Sequence, residues 1–406
     1  MSKHWRLKIA LAAAVAVPAL VLRIGQFHPA PLLAVLAFGA SVVAAAFLLA
    51  WAAEAAQLDI SASLATALLA LIAVLPEYAV DLYFAYAAGH RPDYAQYAAA
   101  NMTGSNRLLI GIGWPLLGLV YVLALRRQRG IFADIVVEPK RRIELAFLAL
   151  ASIYSVAIPL TRRVSVLDAV VLLTLFAAYM WRTGQEPRGE PELVGVAANL
   201  AALPRTRRRA VVGGLFLLAA AFVLSAAEPF ANALVSSGKE LGIDEFLLVQ
   251  WLAPLASEAP ELIVAAILAS KGQGGMALGT LLSSKVNQWT LLVGSLPLAH
   301  LVGGGPATGL VLDARQTEEL VLTAAQTLLG LGILADLRFR ARESLALFLL
   351  FALQFPFPQQ PVRWFLAATY VVLGVGLLLH RRRHLAAIAR SLWPARHASS
   401  QATEMR

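Results

Sequence analysis

The chain has no cysteine, so neither a disulfide nor a thiolate-held metal is open to it. Charge is scarce: 14% of the 406 residues are Asp, Glu, Lys or Arg, whereas 59% are hydrophobic. The seven histidines, His28, His90 and His300 among them, show no metal-ligand spacing. The apolar runs hold no His-Glu-x-x-His motif and no Ser/His pairing, which argues against an intramembrane enzyme. A soluble chain of this length could not bury so much apolar surface. The runs are long enough for a bilayer, which takes about 20 residues per helix. The expected fold class is an all-α polytopic membrane protein.

The net charge of +10 does not point to nucleic acid, because of where the charges fall. Six Lys and Arg lie from Arg126 to Arg142, six from Arg182 to Arg209, three from Arg338 to Arg342, and six follow His380. Short basic loops flanking apolar runs are the mark of cytoplasmic loops. With Lys3, Arg6 and Lys8 inside, strict alternation places every large basic cluster and both termini in the cytoplasm. Arg162-Arg163 is the exception and falls outside. The first apolar run has no clean cleavage site after it, and Arg23 ends it, so it reads as a retained helix. Usage rich in Ala and Arg and poor in Lys hints at a bacterium, hence at the inner (plasma) membrane.

Twelve helices are expected, near residues 8–24, 31–56, 61–88, 96–125, 143–160, 165–182, 210–237, 243–270, 275–303, 317–336, 343–357 and 361–380. One long polar linker, 183–209, divides the chain. On either side the same features recur in order: Glu54 answers Glu228, Pro76-Glu77 answers Pro260-Glu261, and Gly104-Ser105 answers Ser283-Ser284. The organisation is a first helix (1–30), a repeat over 31–182 with its motif at 70–118, the basic linker, a second repeat over 210–358 with its motif at 252–300, and a last helix and basic tail (359–406). Five helices per repeat force the second repeat to be inverted, the architecture of secondary transporters.

The motifs have a physical reading. Pro76 cannot donate to the carbonyl of Ile72, nor Pro260 to that of Ala256. Each proline therefore frees a carbonyl beside a carboxylate at membrane depth, where irregular backbone is tolerated only if it lines a cavity or binds something. Carboxylate, carbonyl and hydroxyl oxygens together suit hard cations such as Na⁺ and Ca²⁺. Glu258 and Glu261 share one helix face, as do Glu77 and Asp81. Ser257 adds a hydroxyl. Small residues around Gly104 and Ser283 allow close helix approach.

In these residues the chain resembles the cation/Ca²⁺ exchangers, the sodium/calcium exchanger-like superfamily. Their two repeats carry a Gly-Thr-Ser-Leu-Pro-Glu segment followed by a Gly-Asn-x-x-Gly-Ser-Asn segment. The counterparts here are Leu75-Pro76-Glu77 with Ala100–Asn106, and Ala259-Pro260-Glu261 with Gly279–Lys285. The resemblance implies cation countertransport with Glu77 and Glu261 as central metal ligands. Glu258, Ser257, Asn101, Ser105, Thr280 and Ser284 would complete the set, with Asp81 and Gln288 as further candidates.

Several positions depart from that pattern. Ala73 and Val74 replace the first Thr-Ser pair, Glu258 replaces the second serine, and Lys285 stands where Asn is usual. Four residues beyond each serine, where the family often has an oxygen ligand, stand Leu109 and Gln288. With Glu77, Asp81, Glu258 and Glu261 ionised and Arg107 and Lys285 charged, the local sum is −2, enough for one divalent or two monovalent cations. Alternatively Lys285 takes the place of a coupling ion and leaves a glutamate to cycle protons. The expected function is antiport of Na⁺ or H⁺ against Ca²⁺ or another cation. The expected partners are lipid and inorganic cations, with no tightly bound cofactor. The competing expectation is an exchanger-fold protein that senses or scaffolds without transport.

Overall fold

The structure, a computed structural model, describes residues 4–59, 75–186, 193–357 and 359–393. Ile72, Ala73 and Val74, with the first half of the expected 61–88 helix, lie outside them. Nine helices among the described residues are long and apolar enough to cross a bilayer. α1 is His4–Ile24 and α2 Pro31–Ala56; α3, Leu75–Ala88, carries the first Pro-Glu motif. α4 (Ala95–Leu108) continues through a wide π turn, Leu109–Gly113, into α5 (Trp114–Arg129). α6 (Arg142–Ser155), α7 (Ala157–Thr161) and α8 (Val166–Thr183) close the first repeat.

The linker is not wholly polar coil. Its GVAANLA segment forms α9 (Gly195–Ala201), because Val196, Ala197 and Leu200 present an apolar face that is buried in the packing around α1 and α2. The second repeat comprises α10 (Arg205–Leu241), α11 (Glu245–Ser270), α12 (Gly274–Asn287), a second π turn (Gln288–Leu292) and α13 (Val293–Val302). α14 (Ala314–Leu334) and α15 (Ala341–Ala352) end it. α16 (Gln360–His380) is the last long helix, and α17 (Arg382–Arg390) follows it. α15 stops at Ala352, short of the expected 357. Large apolar side chains such as Leu217, Leu224, Phe365 and Val372 face outward, as a lipid-facing surface requires.

Two small strand pairs report the relative direction of the repeats. β1 (Ile135–Val136) follows α5 and pairs antiparallel with β4 (Arg338–Phe339), which follows α14. β2 (Arg163–Val164) follows α7 and pairs with β3 (Leu310–Val311), which follows α13. The loop after the third helix of one repeat thus meets the loop after the fourth helix of the other, and the reverse. Loops that meet lie on one side of the membrane, and only an inverted second repeat satisfies both pairings. The pairing Arg163↔Val311 also gives Arg162-Arg163 a structural reason to lie on the side opposite β1 and β4.

The packing is pseudo-symmetric in the same sense. α3 packs on α13, and α11 on α5; α14 packs on α4, and α6 on α12; α11 also packs on α4. Gly104 is what lets α4 approach α11, since a Cβ there would lie 1.8 Å from the Gln250 carbonyl oxygen. That carbonyl has no i+4 donor because residue 254 is proline. On the opposite rim Asp59 ties α2 to α10: Arg208 Nε donates at 2.6 Å and Arg209 Nε at 3.2 Å.

Two predictions follow from this packing. Gly104→Ala forces two backbones apart and should lower the thermal midpoint in detergent by the equivalent of about 1–3 kcal/mol or more. Gly376→Ala, with open space around it, should leave the midpoint unchanged or raise it. The Arg208 hydrogen bond holds the Asp59 carboxyl below its ordinary value of 3.8. A depressed carboxyl stabilises above its unfolded value and loses that contribution as pH falls through the lower, folded one. Asp59→Asn should therefore destabilise at neutral pH, and the difference from wild type should shrink on acidification below about pH 4.

Candidate ion-binding site

Glu258 lies near the midpoint of the 26-residue α11, and the site is built around it. Gln288 Nε2 donates to Glu258 Oε1 at 2.8 Å and to Glu77 Oε1 at 3.2 Å, so one amide bridges carboxylates from the two repeats. The Ser105 hydroxyl lies against Glu77. Glu261, almost one turn beyond Glu258, accepts from Ser284 Oγ at 2.6 Å. Lys285 Nζ donates to both the carbonyl and the Oδ1 of Asn106, each at 2.7 Å, and its charge acts on Glu258 and Glu77. Glu77, Glu258, Lys285 and Gln288 are all buried. Charge at this depth needs donors or counter-charge at once, and the amide, the two hydroxyls and the ammonium supply them.

The π turns explain how these side chains arrive. They begin at Leu109 and Gln288, four residues after Ser105 and Ser284. A π turn inserts a residue and changes which face a helix presents, and such turns concentrate at functional positions. In the second repeat the turn delivers the Gln288 amide to the carboxylates. In the first it delivers Leu109, fully buried and apolar.

The remaining candidates are dispersed. Asn101 Nδ2 donates to Asp81 Oδ1 at 2.6 Å; both side chains are fully buried, and among the described residues Asp81 Oδ2 and Asn101 Oδ1 have no hydrogen-bond partner. Ser257 donates to the carbonyls of Ala253 and Pro254, and Thr280 to that of Met276, each within its own helix. Arg107 does not share the carboxylate group: its guanidinium pairs with Glu319, and Gln250 Nε2 donates to the same carboxylate at 2.9 Å. With Arg107 committed to Glu319, the charge at the site is carried by Glu77, Glu258, Glu261 and Lys285, with Asp81, held by Asn101, one turn from Glu77. Ionised, these four sum to −2 without Arg107 or Asp81. Among the described residues no three acidic or histidine side chains converge closely enough to hold a metal ion. Glu228 is remote from the site, paired with Arg23 at 2.6 Å. Asp168 caps α8 with Ser165.

The residues the sequence reading passed over are Asn106, Glu318, Glu319 and Arg363. The signal was there: charged residues inside apolar helices are functional until shown otherwise, and Glu318-Glu319 and Arg363 are such residues.

Two inverted repeats that bring Pro-Glu helices together at mid-depth define an inverted-repeat membrane transporter. A family model described as sodium/calcium exchanger protein matches residues 30–184 and again 211–357, and the chain belongs to that family. Among solved structures, the H⁺/Ca²⁺ exchanger CAX is 40% identical, with a TM-score of 0.92 over 96% of this chain and 98% of its own. The Ca²⁺/H⁺ antiporter protein YfkE is 17% identical, with a TM-score of 0.61 over 92% and 99%. The sodium-calcium exchanger NCX_Mj is 18% identical, with a TM-score of 0.53 over 83% and 98%. The last two show the shared fold alone. Comparison with curated protein sequences gives no match.

Gln288→Leu tests the bridge. It removes a donor to two carboxylates, and a hydrogen bond to a charged group is worth about 1.5–3 kcal/mol. The half-saturating Ca²⁺ concentration, read from flux or from Ca²⁺-induced thermal stabilisation, should shift at least about tenfold. An unchanged value would remove Gln288 from the site.

Proposed function

We propose that the protein is a secondary antiporter exchanging H⁺ for Ca²⁺ by alternating access around Glu77, Glu258 and Glu261. The observation that carries this is Lys285, a resident cation held by Asn106 beside carboxylates that sum to −2 with it. One Ca²⁺ would neutralise the group, and so would two protons. A lysine fixed in the site leaves little place for a transported Na⁺. The 40% identity to a protein titled as an H⁺/Ca²⁺ exchanger supports the same choice.

In this reading Ca²⁺ competes with the Gln288 amide for Glu77 and Glu258, while Glu261 exchanges its Ser284 partner for the ion. Protonation restores the amide bridge and releases the ion. The two repeats lie on opposite sides of the site, so rocking one against the other opens it alternately to each face. The basic loops support cytoplasmic termini by the positive-inside rule, and the Ala- and Arg-rich, Lys-poor usage supports a bacterial inner membrane.

The test is flux in liposomes loaded with a Ca²⁺ indicator, under an imposed pH gradient and separately under a Na⁺ gradient. Ca²⁺ movement driven by the pH gradient and abolished by Glu261→Gln or Glu77→Gln in folded protein is the expected result. Movement driven by Na⁺ alone would make sodium the coupling ion. Silence under both gradients would leave the non-transporting reading.

A further inference from the structure

The densest buried charge outside the carboxylate site joins three helices. Glu319 on α14, fully buried, pairs through one oxygen with Arg107 on α4 and through the other with Arg363 on α16. Arg363 also faces Glu318 at 3.8 Å. The Arg107 guanidinium lies 5.3 Å from the centre of the Trp251 ring, and Gln326 Nε2 donates to the Arg107 carbonyl at 3.4 Å. The four charges cancel. Such clusters rarely recover the cost of dehydrating their members, and apolar side chains of similar volume often stabilise as well or better. What a buried ion cluster supplies that an apolar patch cannot is a single allowed register between helices.

The register it sets is that of Asn106. Arg107 is the next residue, so the triad holds one side of this segment while Asn106 holds Lys285 from the other. The segment lies immediately before the Leu109 π turn. There the helix abandons its regular hydrogen bonding and an outside anchor is needed to fix its rotation. The inverted repeat repeats the device. On α6 the buried Glu144 pairs with Arg141 at 2.7 Å, and both touch Ser283, at 3.3 and 3.4 Å, beside the Ser284 that holds Glu261. In each repeat a glutamate on the fourth helix thus grips the third helix of the other repeat beside its site residue.

We propose that Arg107, Glu319 and Arg363 are positioning residues of the exchanger: through Asn106 they fix the position of the Lys285 ammonium relative to the carboxylates. The last helix, outside the two repeats, thereby becomes a working part of the transporter. The proposal rests on the antiport reading above.

Glu319→Gln tests it. The half-saturating Ca²⁺ concentration should rise about tenfold with the maximal rate little changed, and Glu319→Asp should restore most of the loss. Added to Asn106→Ala, Glu319→Gln should cost less than about twofold more, since residues acting through one contact are non-additive. An unchanged half-saturation in folded Glu319→Gln overturns the proposal, and so does a full second loss in the double variant. If Glu319→Gln does not fold, the neutral quadruple Arg107→Met/Glu318→Leu/Glu319→Leu/Arg363→Met removes all four charges together. That protein should fold with the same weakened half-saturation, and a wild-type value overturns the proposal. Failure of the antiport reading is seen separately, as wild-type protein that moves no Ca²⁺ under any gradient, and it removes the positioning role as well.

Discussion

Everything in this molecule answers to the cost of keeping carboxylates in the middle of a hydrophobic slab. Glu77 and Glu258 are 4% and 3% exposed, and neither has an arginine against it. Their compensation is an amide, a hydroxyl and the charge of a nearby lysine whose ammonium donates to the neutral Asn106. That is weak compensation by design of the chemistry: a guanidinium would neutralise the carboxylates permanently, whereas an amide can be displaced by an ion. Arginine is present one residue from Asn106, yet Glu319 takes its charge and keeps it out of the group. The same chain thus separates charge that is fixed from charge that is exchangeable, and the separation lies between residues 106 and 107.

The inverted repeat follows from the need to reach such a group from both faces. An ion released alternately to two sides needs two gates of similar build and opposite direction, and duplication with inversion supplies them from one set of helices. The strand pairs β1–β4 and β2–β3 hold the loops of one repeat to those of the other. The π turns at Leu109 and Gln288 stand at matching positions. Pro254 inside α11 releases the Gln250 carbonyl, which becomes the packing surface that meets Gly104.

Much of this was legible in the sequence because it is local. A Pro-Glu pair inside an apolar run marks a site by its cost alone, the basic loops mark the sides, and the odd helix count fixes the inversion. Leu109 and Gln288 stood out as departures from the family pattern, and they open the π turns. What was not legible is long-range. Arg107 reads as a cation for the site until Glu319, 212 residues later, is found to hold it. No periodicity announces that pairing. The last helix looked like an addition because it lies outside the repeats, and only the structure brings Arg363 into the core. The linker was misjudged by average polarity, which hid the three apolar residues of α9 that face α1 and α2.

The departures from symmetry matter as much as the symmetry. Gln288 has no polar counterpart in the first repeat, where Leu109 stands, and the Asp81–Asn101 pair belongs to the first repeat alone. Lys285 is contributed by the second repeat and received by the first. A perfectly symmetric site would bind its ion equally well from either face and would hold the two access states at equal energy. Placing the resident cation on one repeat and its holder on the other makes the site depend on how the repeats are registered. Rocking then changes the electrostatics of the carboxylates as well as their access. In the antiport reading, ion affinity and the direction of opening are coupled through one lysine contact, and the buried ion clusters on α14 and α6 bear on the two helix segments that present it.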